Sequence, residues 1–302
     1  MRSVQLAETD RLDKPTLMII PWGLTSILSG RKHNRDDLGM QASSYVNQVL
    51  SSLSSEDLSL LLPLEPVELR QGEYVVRAGR AVEHVLFPRS GVISLIVNMG
   101  DGGAVEVGMI GSEGLVGSAA IAGTNCPIND ATVQVAGLAY SIPRARFADA
   151  IGRSEALRDK VARVDAVLLA QAQQAAACNA SHSAQARVCR WLLELRDRCD
   201  TEVLPLTQGF LAHMVGVQRT TVTLVASKLQ TADVIRCRRG KVRILDAEKL
   251  ENAACDCYSR MRELRESLHE GVHPKSDIVM PAVVPTPGGA HLAMKFSAGL
   301  SE

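Results

Sequence analysis

Residues 206–229 read Leu-Thr-Gln-Gly-Phe-Leu-Ala-His-Met-Val-Gly-Val-Gln-Arg-Thr-Thr-Val-Thr-Leu-Val-Ala-Ser-Lys-Leu. Within this run Gln218, Arg219, Thr220, Thr223 and Leu224 gather amide, guanidinium, hydroxyl and aliphatic groups over two helical turns. Such a set can read base edges in a DNA major groove. An arginine pairs bidentately with guanine O6 and N7, and threonine or leucine can meet a thymine methyl. Thr207, Gln208, Lys228, Arg238 and Lys241 are of the types that contact phosphate oxygens and set register. From Arg219 to Arg243 seven basic residues face one acid, Asp233, a local charge of +6. That is the electrostatic footprint of a duplex-DNA binder. The whole chain of 302 residues balances 33 Lys+Arg against 33 Asp+Glu. The zero total excludes a uniformly basic coat and conceals a basic module on a mildly acidic remainder.

These groups need rigid elements to hold them. Thr207 can cap a helix through its hydroxyl, and Phe210, Leu211, Met214 and Val215 give that helix an apolar face. Gly216 supplies a tight turn at positive φ. Gln218 opens a second helix whose Val222, Val225 and Leu229 face the core, which makes a helix-turn-helix. In 234–245 apolar and basic residues alternate on both sides of Arg239-Gly240. This predicts a hairpin wing exposing Arg236, Arg238, Lys241 and Arg243.

Upstream, the patterns predict an α+β chain. Residues 44–62 read as one short helix with apolar Val46, Leu50, Leu53 and Leu58. Residues 64–143 alternate short apolar runs (73–77, 83–87, 91–97, 104–107 and 131–135) with glycine turns, the pattern of an antiparallel sandwich or barrel. Residues 144–180 read as mainly one long helix. Leu157, Val161, Val164, Leu168, Gln171, Ala175 and Cys178 recur at heptad spacing along it, which predicts a two-stranded dimer seam. A further helix over 182–199 buries Val188, Trp191, Leu192 and Leu195. Residues 1–43 and 269–302 lack period and are expected to be a flexible arm and tail. The domains are then 1–43, a sensor over 44–150, a dimerisation helix over 151–180, a DNA-binding domain over 181–268, and the tail.

The order of these pieces, and above all Val215-Gly-Val-Gln-Arg-Thr-Thr-Val222 and Ala186-Arg-Val-Cys-Arg-Trp-Leu-Leu193, resembles the Crp/Fnr family of bacterial transcription regulators over residues 64–260. The resemblance implies an N-terminal antiparallel β-roll like a cyclic-nucleotide-binding domain, a long dimerisation helix and a C-terminal winged helix-turn-helix. It implies double-stranded DNA, a second copy of the chain and RNA polymerase as partners. Base-reading roles would fall on Gln218, Arg219, Thr220 and Leu224. Thr220 stands where the catabolite-activator branch has a glutamate and Leu224 where it has a further arginine, so a different operator is expected.

The effector pocket departs from that pattern. Gly117 matches the family's ribose-binding Gly-Glu pair, but Ser118 replaces the glutamate. Asn129 and Asp130 occupy the place of the phosphate-binding Arg-Ser pair, and Asp130 would repel an anion. Glu113 is near but out of register. Tight binding of cyclic AMP or cyclic GMP is therefore not expected, no cofactor is expected, and the effector stays open.

Other signals are weaker. Relatives that carry an iron–sulfur cluster hold it with N-terminal cysteines, whereas the first cysteine here is Cys126. Cys255-Asp-Cys257 is a poor metal site alone, so no metal site is expected, and Cys178 reads as a buried small residue on the seam. Gly108, Gly111, Gly114 and Gly117 read as roll turns rather than a dinucleotide fingerprint. No stretch is long and apolar enough for a membrane span. With an odd cysteine count this points to a reduced, cytoplasmic protein. No assembled catalytic set appears, so no enzyme is expected. The rival reading is a ligand-binding signalling protein with a vestigial DNA-binding domain.

Overall fold

The structure is a computed structural model and describes residues 46–270 apart from 101, 119–125 and 200. The expected arm, with its charged run at 31–37, and residues 271–302 of the expected tail lie outside the described residues.

The N-terminal part begins with α1 (Gln48–Ser51) and α2 (Ser55–Leu61). They replace the single helix expected over 44–62. Ser54 is extended and caps α2 by accepting from the Asp57 amide, so the chain restarts there instead of continuing. Val46 is exposed, while Leu50, Leu53 and Leu58 are buried as expected.

Among the described residues seven strands follow: β1 (Glu65–Leu69), β2 (Tyr74–Val76), β3 (His84–Pro88), β4 (Val92–Asn98), β5 (Ala104–Ile110), β6 (Asp130–Val135) and β7 (Gly137–Pro143). They form two antiparallel sheets, ordered β1-β7-β3 and β2-β6-β4-β5. Five of the strands fall on the predicted runs. The two that were missed carry Pro66 or begin at Gly137 and end at Pro143. Pro66 is tolerated because β1 lies at a sheet edge. Between the sheets lie Leu69, Ile93, Ile110, Val116 and Val133.

The chain then forms α3 (Arg144–Arg153) and α4 (Glu155–Ser181). The expected single helix is broken at Ser154. Its hydroxyl accepts from the Leu157 amide at 2.9 Å and donates to Asp57 at 2.6 Å. Phe147 from α3 meets Phe87 edge-on, with ring centroids 5.8 Å apart.

The face of α4 predicted as a dimer seam is turned onto the chain's own body. Leu157, Val161 and Val164 share a core with α1, α2, β3 and α3, while Gln171, Ala175 and Cys178 are also buried and Leu168 is half-buried. Gly108 and Gly114 leave room for this. A Cβ on Gly108 would come within 3.2 Å of Gln171, and one on Gly114 within 3.3 Å of Val164. Gly108 lies within β5 and so admits a helix without turning the chain, whereas Gly114 also closes the expected turn, its amide donating to the Gly111 carbonyl at 3.3 Å.

The rest is α5 (Ala184–Cys199), β8 (Val203–Leu204), α6 (Gln208–Val215), α7 (Arg219–Thr231), β9 (Ile235–Arg238), β10 (Lys241–Ile244), α8 (Ala247–Ala253) and α9 (Cys257–Glu270). The last helix runs two residues into the expected tail. β8, β10 and β9 make a small antiparallel sheet. Buried Val188, Trp191, Leu192 and Leu195 of α5 centre the core of this part. Val92, Ile96 and Met109 of the β-roll belong to that same core.

Candidate nucleic-acid interface

Local chemistry builds the reader as predicted. Thr207 accepts from the Phe210 amide at 3.1 Å and starts α6. Gly216 ends it at φ 62°, ψ 45°, the left-handed geometry that terminates helices at little steric cost only for glycine. Arg187 of α5 donates to the Val215 carbonyl at 3.0 Å and steadies that turn. Gln218 precedes α7 with its side chain in no capping bond. Leu211, Met214, Val215, Val222, Val225 and Leu229 are buried between the two helices and α5.

Arg219, Thr220, Thr223 and Leu224 all stand exposed on α7, with Gln218 exposed just before it; Leu224 is 66% exposed although aliphatic. Their spacing puts them on one side of the helix. One predicted contact has a further local duty that the sequence does not announce. The Thr223 hydroxyl lies 3.1 Å from Gln208 Oε1 and 3.0 Å from the Arg219 carbonyl oxygen, tying α7 to α6. The Thr207 hydroxyl is occupied as the cap. The hairpin turns at Arg239 (φ 46°) and Gly240 (φ 74°), a pair of positive φ values that suits a two-residue hairpin, with Lys241 opposite Arg238.

The seven cations between Arg219 and Arg243 are exposed. Among the described residues none of them is ion-paired. Charge left unneutralised by the chain itself is available to phosphates.

The predicted effector residues are held by the fold. Glu113 is buried and accepts from Arg198 at 2.7 Å and from the Gly111 amide at 3.0 Å. Burial pushes its carboxyl up, but the Arg198 guanidinium outweighs this and holds it below the ordinary carboxylate value. Asp130 is buried and accepts from the Ala78 amide and from Asn98, each at 2.7 Å. Asn129 donates to the Asp130 carbonyl at 3.3 Å. Ser118 donates to Asp165 of α4 at 2.6 Å. Gly117 has φ 102°, and a Cβ there would meet the His84 carbonyl.

Reader and roll touch directly. Trp191 donates to Glu106 of β5 at 2.7 Å, and Val105 lies where a Cβ on Gly216 would come within 3.2 Å. Burial outweighs the hydrogen bonds from Ser94 and Trp191 and pushes the Glu106 carboxyl up to about 8. Cys178, read as a seam residue, is fully buried in a cluster with Cys255 and Cys257.

Comparison with known families accords with both parts. Residues 66–154 match the cyclic nucleotide-binding domain and residues 186–253 the Crp-like helix-turn-helix domain. Comparison with curated proteins gave no match. Among solved structures, a Crp/Fnr-family protein from Eubacterium rectale is similar at 17% identity and TM-score 0.57, over 68% of this chain and 96% of that one. A Crp/Fnr-family transcriptional regulator from Thermus thermophilus is similar at 24% identity and TM-score 0.54, over 63% and 98%. FixK2 from Bradyrhizobium japonicum is similar at 16% identity and TM-score 0.54, over 64% and 98%. With its sensor-type roll, long helix and exposed basic reader in that order, the chain belongs to the Crp/Fnr family of DNA-binding transcription regulators.

Proposed function

We propose that the protein acts as a homodimer on a palindromic operator and is not gated by cyclic nucleotide. The observation that carries this reading is the unpaired basic face of α7 and the wing. Two reader heads related by a two-fold axis would meet half-sites about 34–36 Å apart. Arg219 takes a guanine, Thr220 and Leu224 contact thymine methyls, and Gln218 and Thr223 complete the base contacts. Gln208, Thr207, Lys228, Arg238 and Lys241 hold the phosphates. RNA polymerase is the further partner such a regulator meets.

The dimer reading rests on the outer face of α4. Ala162, Ala166, Leu169, Gln173, Ala176 and Ala180 are exposed there and repeat at heptad spacing. Small residues let two helices approach closely, and Leu169 supplies apolar area, so a second copy fits this stripe. Against gating stand the Glu113–Arg198 pair and the buried Asp130: among the described residues, the positions that match the family's ribose and phosphate pairs carry Ser118, Asn129 and Asp130, and the nearby Arg77 guanidinium already lies 3.9 Å from the Asp130 carboxylate.

Genome-wide binding with motif discovery, followed by gel shifts on the recovered site, tests the reading. The expected result is a palindromic motif bound equally well with and without cyclic AMP. An unstructured set of bound fragments would refute the operator, and a large cyclic-AMP-induced gain in affinity would refute ungated action.

A further inference from the structure

The end of α4 and the start of α9 bring four metal-seeking groups to one point. The donor atoms of Cys178, His182, Cys255 and Cys257 all lie within 4.8 Å of one another. Cys178 and His182 are four residues apart at the end of one helix, and the His182 amide bonds the Cys178 carbonyl. Cys255 and Cys257 flank Asp256 where α9 begins. All three cysteines are buried and none is in a disulfide.

Two of the donor spacings are close to those of a tetrahedral site, and the four donors are near enough to share one ion. Cys178 Sγ and Cys255 Sγ are 3.5 Å apart, and Cys257 Sγ is 3.4 Å from His182 Nδ1. An ion with metal–sulfur bonds of about 2.3 Å and metal–nitrogen bonds of about 2.0–2.1 Å holds tetrahedral ligands about 3.5–3.8 Å apart. The outer contacts also fit. His182 turns its other ring nitrogen, Nε2, to within 3.6 Å of Asp256 Oδ1. Gln174 Nε2 donates to Cys257 Sγ at 2.9 Å. A carboxylate behind a ligating imidazole orients the ring and raises its basicity.

We infer that Cys178, His182, Cys255 and Cys257 form a closed, mononuclear tetrahedral site for a zinc-class divalent ion, which ties the end of α4 to the start of α9. Three sulfurs and an imidazole exclude the oxygen-seeking ions magnesium and calcium. An iron–sulfur cluster spreads its thiolates over several irons and needs them farther apart than they are here. A disulfide between Cys178 and Cys255 would leave Cys257, His182 and their outer contacts without a role. Binding passes the thiol protons to solvent. Four protein ligands fill the coordination sphere, so the site is structural. It fixes the α4–α5 corner at His182 against the α8–α9 corner at Cys255. The inference does not depend on DNA reading, since metal content is measured without DNA.

The test uses the full chain, purified under reducing conditions without added metal or chelator. The expected result is one zinc ion per chain. After chelation, added Co2+ should give a thiolate-to-cobalt charge-transfer band and the intense visible bands of tetrahedral cobalt. Cys178→Ser and Cys257→Ser should lose the ion, while Cys126→Ser keeps it. Gln174→Ala, which removes only an outer contact, should weaken binding roughly 10- to 100-fold. Should the cysteine variants fail to fold by circular dichroism, the cobalt spectrum of the unaltered chain decides. Absence of both zinc and the tetrahedral cobalt spectrum overturns the proposal. So does iron with acid-labile sulfide, a Cys178–Cys255 disulfide in the reduced preparation, or an undiminished ion in folded Cys178→Ser.

Discussion

Arg219 combines three properties that make it the most informative single side chain in the reader. It opens α7, it is exposed, and it has no acidic partner among the described residues. Arg219→Ala should therefore cost roughly 1–3 kcal/mol in operator affinity and relax the preference at one base position. Quantitative gel shifts against an operator library would check this, and an unchanged preference would count against base reading. At this scale the sequence is legible wherever chemistry is local. Thr207, Gly216 and Arg239-Gly240 do what their types predict, because caps and turns depend on nearest neighbours. The sequence is silent where a residue's partner is distant in the chain. Nothing near Glu113 in sequence announces Arg198, and nothing near Cys255 announces Cys178 and His182. The signal was present as Cys-x-Cys and as Cys and His four apart on a helix, but only the fold joins them.

Elements were recognised by type more surely than by the direction they face. A heptad pattern marks a helix with one apolar stripe, yet it does not say whether that stripe meets a second copy or the chain's own sheet. On α4 there are two stripes, and the more apolar one is turned inward. The two should respond oppositely to substitution. Leu157→Ala should destabilise the folded chain by about 2–5 kcal/mol, the usual range for emptying a buried leucine site. Leu169→Glu should leave the fold intact and yield a monomer. Thermal melts and solution mass measurements on both variants would separate the roles, and a dimeric Leu169→Glu would refute the outer stripe.

The strand–helix contact between β5 and α5 carries a pH dependence of definite sign. The folded chain holds a proton on Glu106 up to about pH 8, whereas the unfolded carboxyl releases it near 4.5. Between those values the folded state binds more protons, so stability falls as pH rises and levels off above about 8. Melts across this range should show the decline, and Glu106→Gln should flatten it. An identical slope in the variant would place the titration elsewhere.

Across the whole molecule, the basic reader and the acidic remainder are fused through one core. Val92, Ile96 and Met109 come from the roll, yet they pack among Trp191, Leu206, Val222 and their neighbours in the reader. An isolated fragment spanning 181–270 would expose that apolar floor to water and lose the Trp191–Glu106 bond. We expect it to be poorly folded or self-associating, and a fragment that melts as cooperatively as the full chain would contradict this. Sequence order gave the architecture but not this seam, because a wing, a helix-turn-helix and a roll each look self-contained when read in isolation.

That shared floor bears on how such a protein can diverge. Family likeness parses the chain as two exchangeable units, one ending at residue 154 and the other beginning at residue 186. The packing does not honour that division. A recombination event that grafted this reader onto a foreign sensor would have to bring matching side chains at Val92, Ile96, Met109 and Glu106, or leave a hole and an unpaired indole beneath the new head. Operator choice can drift freely on the outer side of α7, while the inner side of the reader is bound to evolve in step with the strands beneath it.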